Sequence, residues 1–114
     1  MRPLVLGSLL SGLALAGCAR HVPEEQLTNA KASVLAAEQL DAEKVPSAAL
    51  HVQLAREQIS EARMLLKEGQ ERRASLRLQR ASADAELAVA LAKEEPVRAD
   101  AERALQEVKT LQSP

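Results

Sequence analysis

Few side chains in this sequence could do chemistry. Its 114 residues hold one cysteine, Cys18, two histidines, His21 and His51, and no Phe, Tyr or Trp. A zinc or copper site needs three or four convergent ligands, and no His, Cys, Asp or Glu cluster stands at ligand spacing. Ser33, Ser60, Ser75 and Ser82 are scattered through helix-forming sequence. None has the glycine-framed elbow or the neighbouring base that activates a hydroxyl. Glycine-rich phosphate loops are missing too, and Glu94-Glu95 reads as surface charge at a helix junction. The expectation is a protein that is not an enzyme and has no cofactor.

Two features remain. The first is an arginine cluster, Arg72, Arg73, Arg77 and Arg80, in which Arg73, Arg77 and Arg80 share one helical face at i, i+4 and i+7. Such a stripe can hold an acidic partner, a lipid headgroup phosphate or an anionic glycan. Pairing inside the chain is the leading expectation, because Glu57 and Glu61 fall near Arg77 and Arg80 if the chain turns at Gly69, and Glu68 precedes Arg72 by four. Arg73, Arg77 and Arg80 stand as the candidate partner-binding face.

The second is Cys18. Arg2 precedes an uncharged, leucine-rich stretch from Pro3 to Gly17, the layout of a secretory signal peptide. The stretch is shorter than the roughly 20 apolar residues a membrane-spanning helix needs. It ends in Leu15-Ala16-Gly17-Cys18, which resembles the bacterial lipobox. There Leu15, Ala16 and Gly17 are the signal-peptidase recognition residues, and the Cys18 thiol takes up diacylglycerol. Cleavage by the general signal peptidase after Ala14-Leu15-Ala16 is the alternative and gives a soluble product. A lone cysteine cannot form an internal disulfide, so nothing else competes for the thiol.

Cleavage before Cys18 removes 17 of the 114 residues and leaves 97, enough for one small domain. Loss of Arg2 leaves 14 basic against 16 acidic side chains. Phosphate binding calls for a basic excess, so nucleic acid is not an expected partner. Without aromatic rings there is no stacking on bases or sugars. Ala19 follows Cys18 where an aspartate often retains lipoproteins at the inner membrane, which predicts the periplasmic face of the bacterial outer membrane.

The elements that must present these groups are helices. Alanine, leucine, glutamate, glutamine and arginine dominate after Cys18 and are strong helix formers. Breakers are few, and they predict a lipidated tether over 18–22 and an all-α domain over 23–114, with helices at about 23–44, 46–68, 70–94 and 96–111. Pro23-Glu24-Glu25 and Pro46-Ser47 suit helix starts. Val45, Ala48, Val52, Ala55, Ile59, Ala62 and Leu66 alternate steps of three and four, as do Ala74, Leu78, Ala81, Ala85, Ala88 and Ala92. These two seams, joined at Gly69, predict an elongated antiparallel hairpin or small bundle with coiled-coil-like, alanine-rich packing. Leu76, Ala83, Leu87, Ala90 and Leu91 are expected to widen the second seam. Pro96 is expected to end or kink its helix, and the first and last segments together, or a second copy, to complete the core.

The stretch from Pro46 to about Lys93 resembles a family of small helical bacterial envelope lipoproteins of unknown function, often encoded beside OmpA-like proteins. The match lies in Pro46 and Leu50, Ala55-Arg56, Ala62-Arg63, Gly69, and Asp84-Ala85-Glu86-Leu87-Ala88 after Ala74 and Ala81. Val45 and Arg72-Arg73 stand where the family often has tyrosines. The resemblance implies an outer-membrane-anchored helical hairpin working near peptidoglycan or an OmpA-like partner. The functional expectation is a structural or adaptor lipoprotein that binds a protein or cell-wall component through helical faces. Alternatives are a self-assembling coiled-coil oligomer and a membrane-surface amphipathic protein.

Overall fold

A computed structural model describes residues 22–113. The signal peptide over 1–17, Leu15, Ala16, Gly17, Cys18 and most of the tether lie outside the described residues. Three helices account for nearly all of the rest: α1 (Val22–Gln39), α2 (Pro46–Lys67) and α3 (Glu71–Gln112), with a short 3-10 turn at Ala42–Lys44.

The expected hairpin is present. Both seams point inward, with Ala48, Val52, Ala55, Ile59 and Ala62 of α2 buried against Ala74, Leu78, Ala81, Ala85, Ala88 and Ala92 of α3. Gly69 joins the two legs at φ 74, a left-handed conformation that costs a residue with a Cβ about 1–2 kcal/mol. Its amide donates to the Leu66 carbonyl at 3.1 Å and the Gln70 amide donates to Leu65 at 2.8 Å. This paired arrangement caps the orphan carbonyls at the end of α2.

α1 alone joins the hairpin to complete the core; the last segment, expected to share in it, does not, since among the described residues no core residue lies beyond Ala92. Pro23, Ala30, Val34 and Ala37 are buried, and Leu27 packs against them in part. Steps of four and three therefore run from 23 to 37, as in the other two seams. Gln26 and Asn29 lie beside Leu78, Gln79 and Ser82, while Leu35 and Glu38 lie beside Arg56 and Ile59. α1 thus enters at the Gly69 end, parallel to α3 and antiparallel to α2.

The first helix stops short of the expected residue 44. Asp41 adopts φ 54, which breaks the helical register, and Asp is among the few non-glycine residues that tolerate this conformation. Lys44 holds it with an ion pair of 2.9 Å. Val45 is extended at φ −99, ψ 110, and Pro46 opens α2. Proline drives the residue before it out of the helical region and fits the first turn of the next helix.

Pro96 does not end the last helix, so the expected helices at 70–94 and 96–111 are one α-helix of 42 residues, about 63 Å long at 1.5 Å per residue. The proline sits where bundle packing stops: Pro46 and Ser47 lie beside Leu91, Glu94, Glu95 and Arg98. Its missing hydrogen bond therefore costs helix without breaking core. Arg98 reaches back across it to Glu95 at 2.6 Å, and strong helix formers continue on the far side. Residues 101–113 are all exposed, so α3 projects past the bundle as a single helix.

Eleven of the fifteen buried apolar residues are alanines, and Leu78 and Val52 are the largest side chains fully enclosed. Small residues let helix axes approach closely, so the core is narrow and its few large side chains carry a disproportionate share of the burial.

Candidate functional site

The three arginines of the expected face do come together, in an open groove of about 560 Å³ lined by Leu65, Arg73, Leu76, Arg77, Arg80 and Ala83. They are not equivalent. Arg77 Nε pairs with Glu61 across the hairpin at 2.9 Å, as the turn at Gly69 requires. Arg73 donates to the Gln70 side chain at 2.5 Å. Arg80 has no carboxylate within ion-pair distance among the described residues. Glu57 accepts from Gln53 instead of an arginine, and Glu68 accepts from Gln70 instead of Arg72. Two guanidiniums of the triplet, Arg73 and Arg80, thus have no carboxylate of their own among the described residues.

Of the five residues expected to widen the second seam, only Leu91 packs against the core. Leu76, Ala83, Leu87 and Ala90 do not widen the core seam; all four are exposed, Leu76 at 58% and Leu87 at 43%. At 3.6 residues per turn each residue steps about 100° around the axis. On that count these residues lie on the far side of α3 from Ala74, Leu78 and Ala81. Beyond Pro96, Val97, Ala101, Ala104, Val108 and Leu111 continue on the same side, with Val97 68% and Leu111 79% exposed. Because the helix is unbroken, the two sets join into one stripe: 76, 80, 83, 87, 90, 94, 97, 101, 104, 108 and 111 step by four and three without a slip. It is centred about 170° from the core face. Nine of its eleven members are apolar, and the exceptions are Arg80 and Glu94. A sustained apolar 4-3 spacing is the pattern by which helices pack along one another in coiled coils.

A third feature joins α2 to α3. His51 Nδ1 lies 2.9 Å from Asp84 Oδ1, and Gln58 donates to Asp84 Oδ2 at 2.8 Å. All three are partly buried, and together they brace the middle of the hairpin. Nearby, Arg56 links α1 to the 3-10 turn, with Glu38 and Glu43 each 2.5 Å away. The hydrogen bonds that Arg56 donates to Glu38 and then to Glu43 raise its pKa further above the ordinary value.

Among the described residues no three His, Cys, Asp or Glu side chains gather to hold a metal ion, and no helix is long and apolar enough to cross a membrane. No family model, curated protein or solved structure matches the chain. What the geometry offers is surface: an arginine groove near the Gly69 turn and a long apolar stripe on the outer side of an all-α bundle.

Proposed function

We propose that this chain is the precursor of a bacterial envelope lipoprotein, anchored by acyl groups on Cys18 to the periplasmic face of the outer membrane, where it acts as a structural or adaptor protein. The observation that carries this reading is the position of the only cysteine. It closes an apolar leader at Leu15-Ala16-Gly17 and stands four residues before Val22, where the bundle begins. A four-residue tether spans at most about 14 Å, so acylation at Cys18 keeps the start of α1 close to the membrane surface. The resemblance of residues 46–93 to small envelope lipoproteins supports the same assignment and suggests an OmpA-like protein or peptidoglycan as what is bound.

The adaptor role rests on the exposed helical surface, since the outer stripe of α3 offers a length of apolar helix that a second helix can cover. A membrane-surface role is less well supported, because the stripe is alanine-rich and lacks the bulky aromatics of interfacial helices. Metabolic labelling with a clickable fatty acid tests the anchor. Wild type is expected to take up label and sediment with membranes, while Cys18→Ala takes up none. Equal labelling of the two removes the anchor from the account.

A further inference from the structure

We propose that the outer face of α3 is the interface of a symmetric antiparallel dimer, in which Leu76 to Ala101 of one copy packs along the same span of a second copy. The inference goes beyond the anchored-adaptor reading and does not depend on lipidation. It starts from the heptad that runs outside the bundle. Leu76, Ala83, Ala90, Val97, Ala104 and Leu111 occupy one core position of that heptad, and Arg80, Leu87, Glu94, Ala101 and Val108 the other. All eleven are exposed. The run covers five heptads, more than the three or four that mark a coiled coil.

The two charged seam residues decide orientation and register, as buried polar residues in coiled coils do. In a parallel, in-register pair Arg80 meets Arg80 and Glu94 meets Glu94, which is repulsive twice over. Antiparallel packing with its two-fold axis between Leu87 and Ala90 sets Leu87 against the second copy's Ala90, and Ala83 against its Glu94. That glutamate then lies one layer from Arg80, and symmetry makes the contact twice. Arg80, like Arg73, has no carboxylate partner of its own among the described residues, and unlike Arg73 it has no side-chain hydrogen bond there either.

The flanks agree with that register. Glu86 of each copy falls opposite Lys93 of the other, giving two further complementary pairs. Shifting by one heptad in either direction sets Glu86 against Glu86 or Lys93 against Lys93, and separates Arg80 from Glu94 or moves Glu94 toward the end of the overlap. On the other flank Arg77 comes opposite Arg98, and each already has acids on its own chain, Glu61 for Arg77 and Glu95 with Glu102 for Arg98. Eight core layers form over the shared span. The remaining part of α3, from Glu102 to Gln112, overhangs at each end.

The bundle lies within residues 22–113, so the lipid-free chain starting at Ala19 contains every described helix and suits the test. Sedimentation equilibrium is run on this chain and on Arg80→Glu, Glu94→Arg and the double exchange. Each single change is expected to weaken the dimer at least about tenfold, because like charges then meet twice in the seam. The double exchange is expected to return the constant to within about threefold of wild type. Circular dichroism of each variant should match wild type, both positions being exposed in one copy. A wild-type mass that stays monomeric at high concentration, a trimer or larger species, or a double exchange no better than the singles overturns the proposal. Orientation is read by oxidising an equimolar mixture of Leu87→Cys and Ala90→Cys chains. Disulfides joining unlike chains are expected to predominate, whereas 87-to-87 and 90-to-90 products in excess indicate a parallel pair and overturn it.

Discussion

Leu78 and Leu76 are two residues apart on α3, yet the bundle assigns them opposite roles. Leu78 is fully buried in the seam, and Leu76 is 58% exposed on the outer stripe. Truncating a buried leucine to alanine costs about 2–5 kcal/mol, from lost transfer energy and the cavity left behind. The cavity term should be substantial here, because most neighbours of Leu78 in the seam are alanines with no side chain free to swing into the gap. A domain of this length holds roughly 5–14 kcal/mol in total, so a loss of about 3 kcal/mol removes a large part of it. It lowers Tm by about 12–24 °C at 4–8 °C per kcal/mol. Leu76→Ala should stay within about 0.5 kcal/mol, as exposed substitutions do. Urea denaturation of the lipid-free chain followed by circular dichroism, in dilute solution where one copy stands alone, measures both. Equal losses at the two positions, or a larger loss at Leu76, refute the assignment of core and outer faces on which the dimer interface also depends.

Replacing Gly69 with alanine should cost about 1–2 kcal/mol through backbone conformation alone, since an added Cβ meets nothing within 4 Å; an unchanged denaturation midpoint contradicts the left-handed turn. Pro96→Ala should restore the helical hydrogen bond and favour the local helix by up to about 3 kcal/mol. Hydrogen exchange should then slow for amides after residue 96, and an unchanged pattern argues that α3 is not continuous there. Asp84→Ala leaves His51 and Gln58 without their shared acceptor and should destabilise by about 1–3 kcal/mol. A loss below about 0.5 kcal/mol in the same urea assay means that the brace contributes nothing.

The hairpin was legible because its signal is local. Two runs of apolar residues with alternating steps of three and four, separated by a glycine, can pack stably only by facing each other. The α1 seam of Leu27, Ala30, Val34 and Ala37 carries the same spacing, but Val97, Ala101, Ala104, Val108 and Leu111 form an equally regular apolar run in the last segment, and which run faces the core depends on α3 being continuous. Packing decides that, since past Ala92 the core-facing positions of α3 become Glu95, Ala99, Glu102 and Gln106, which offer little to bury. Pro96, which can end or kink a helix, masks the outer stripe in the sequence, because Leu76 to Ala90 and Val97 to Leu111 join only if the helix runs through without a break. The groove was legible in part, as was the Arg77 to Glu61 pair, because register across a tight turn fixes who meets whom. His51 and Asp84 were not, being 33 residues apart and brought together only by the length of both legs.

In the proposed function the mature protein begins at an acylated Cys18. The most direct test is the intact mass of the chain purified from membranes, followed by fragmentation of its N-terminal peptide. The account predicts a chain lacking residues 1–17, with Cys18 first and carrying the added mass of diacylglycerol. A chain that still contains Met1 to Gly17, or one that begins at Leu15, Gly17 or Cys18 with an unmodified thiol, contradicts it.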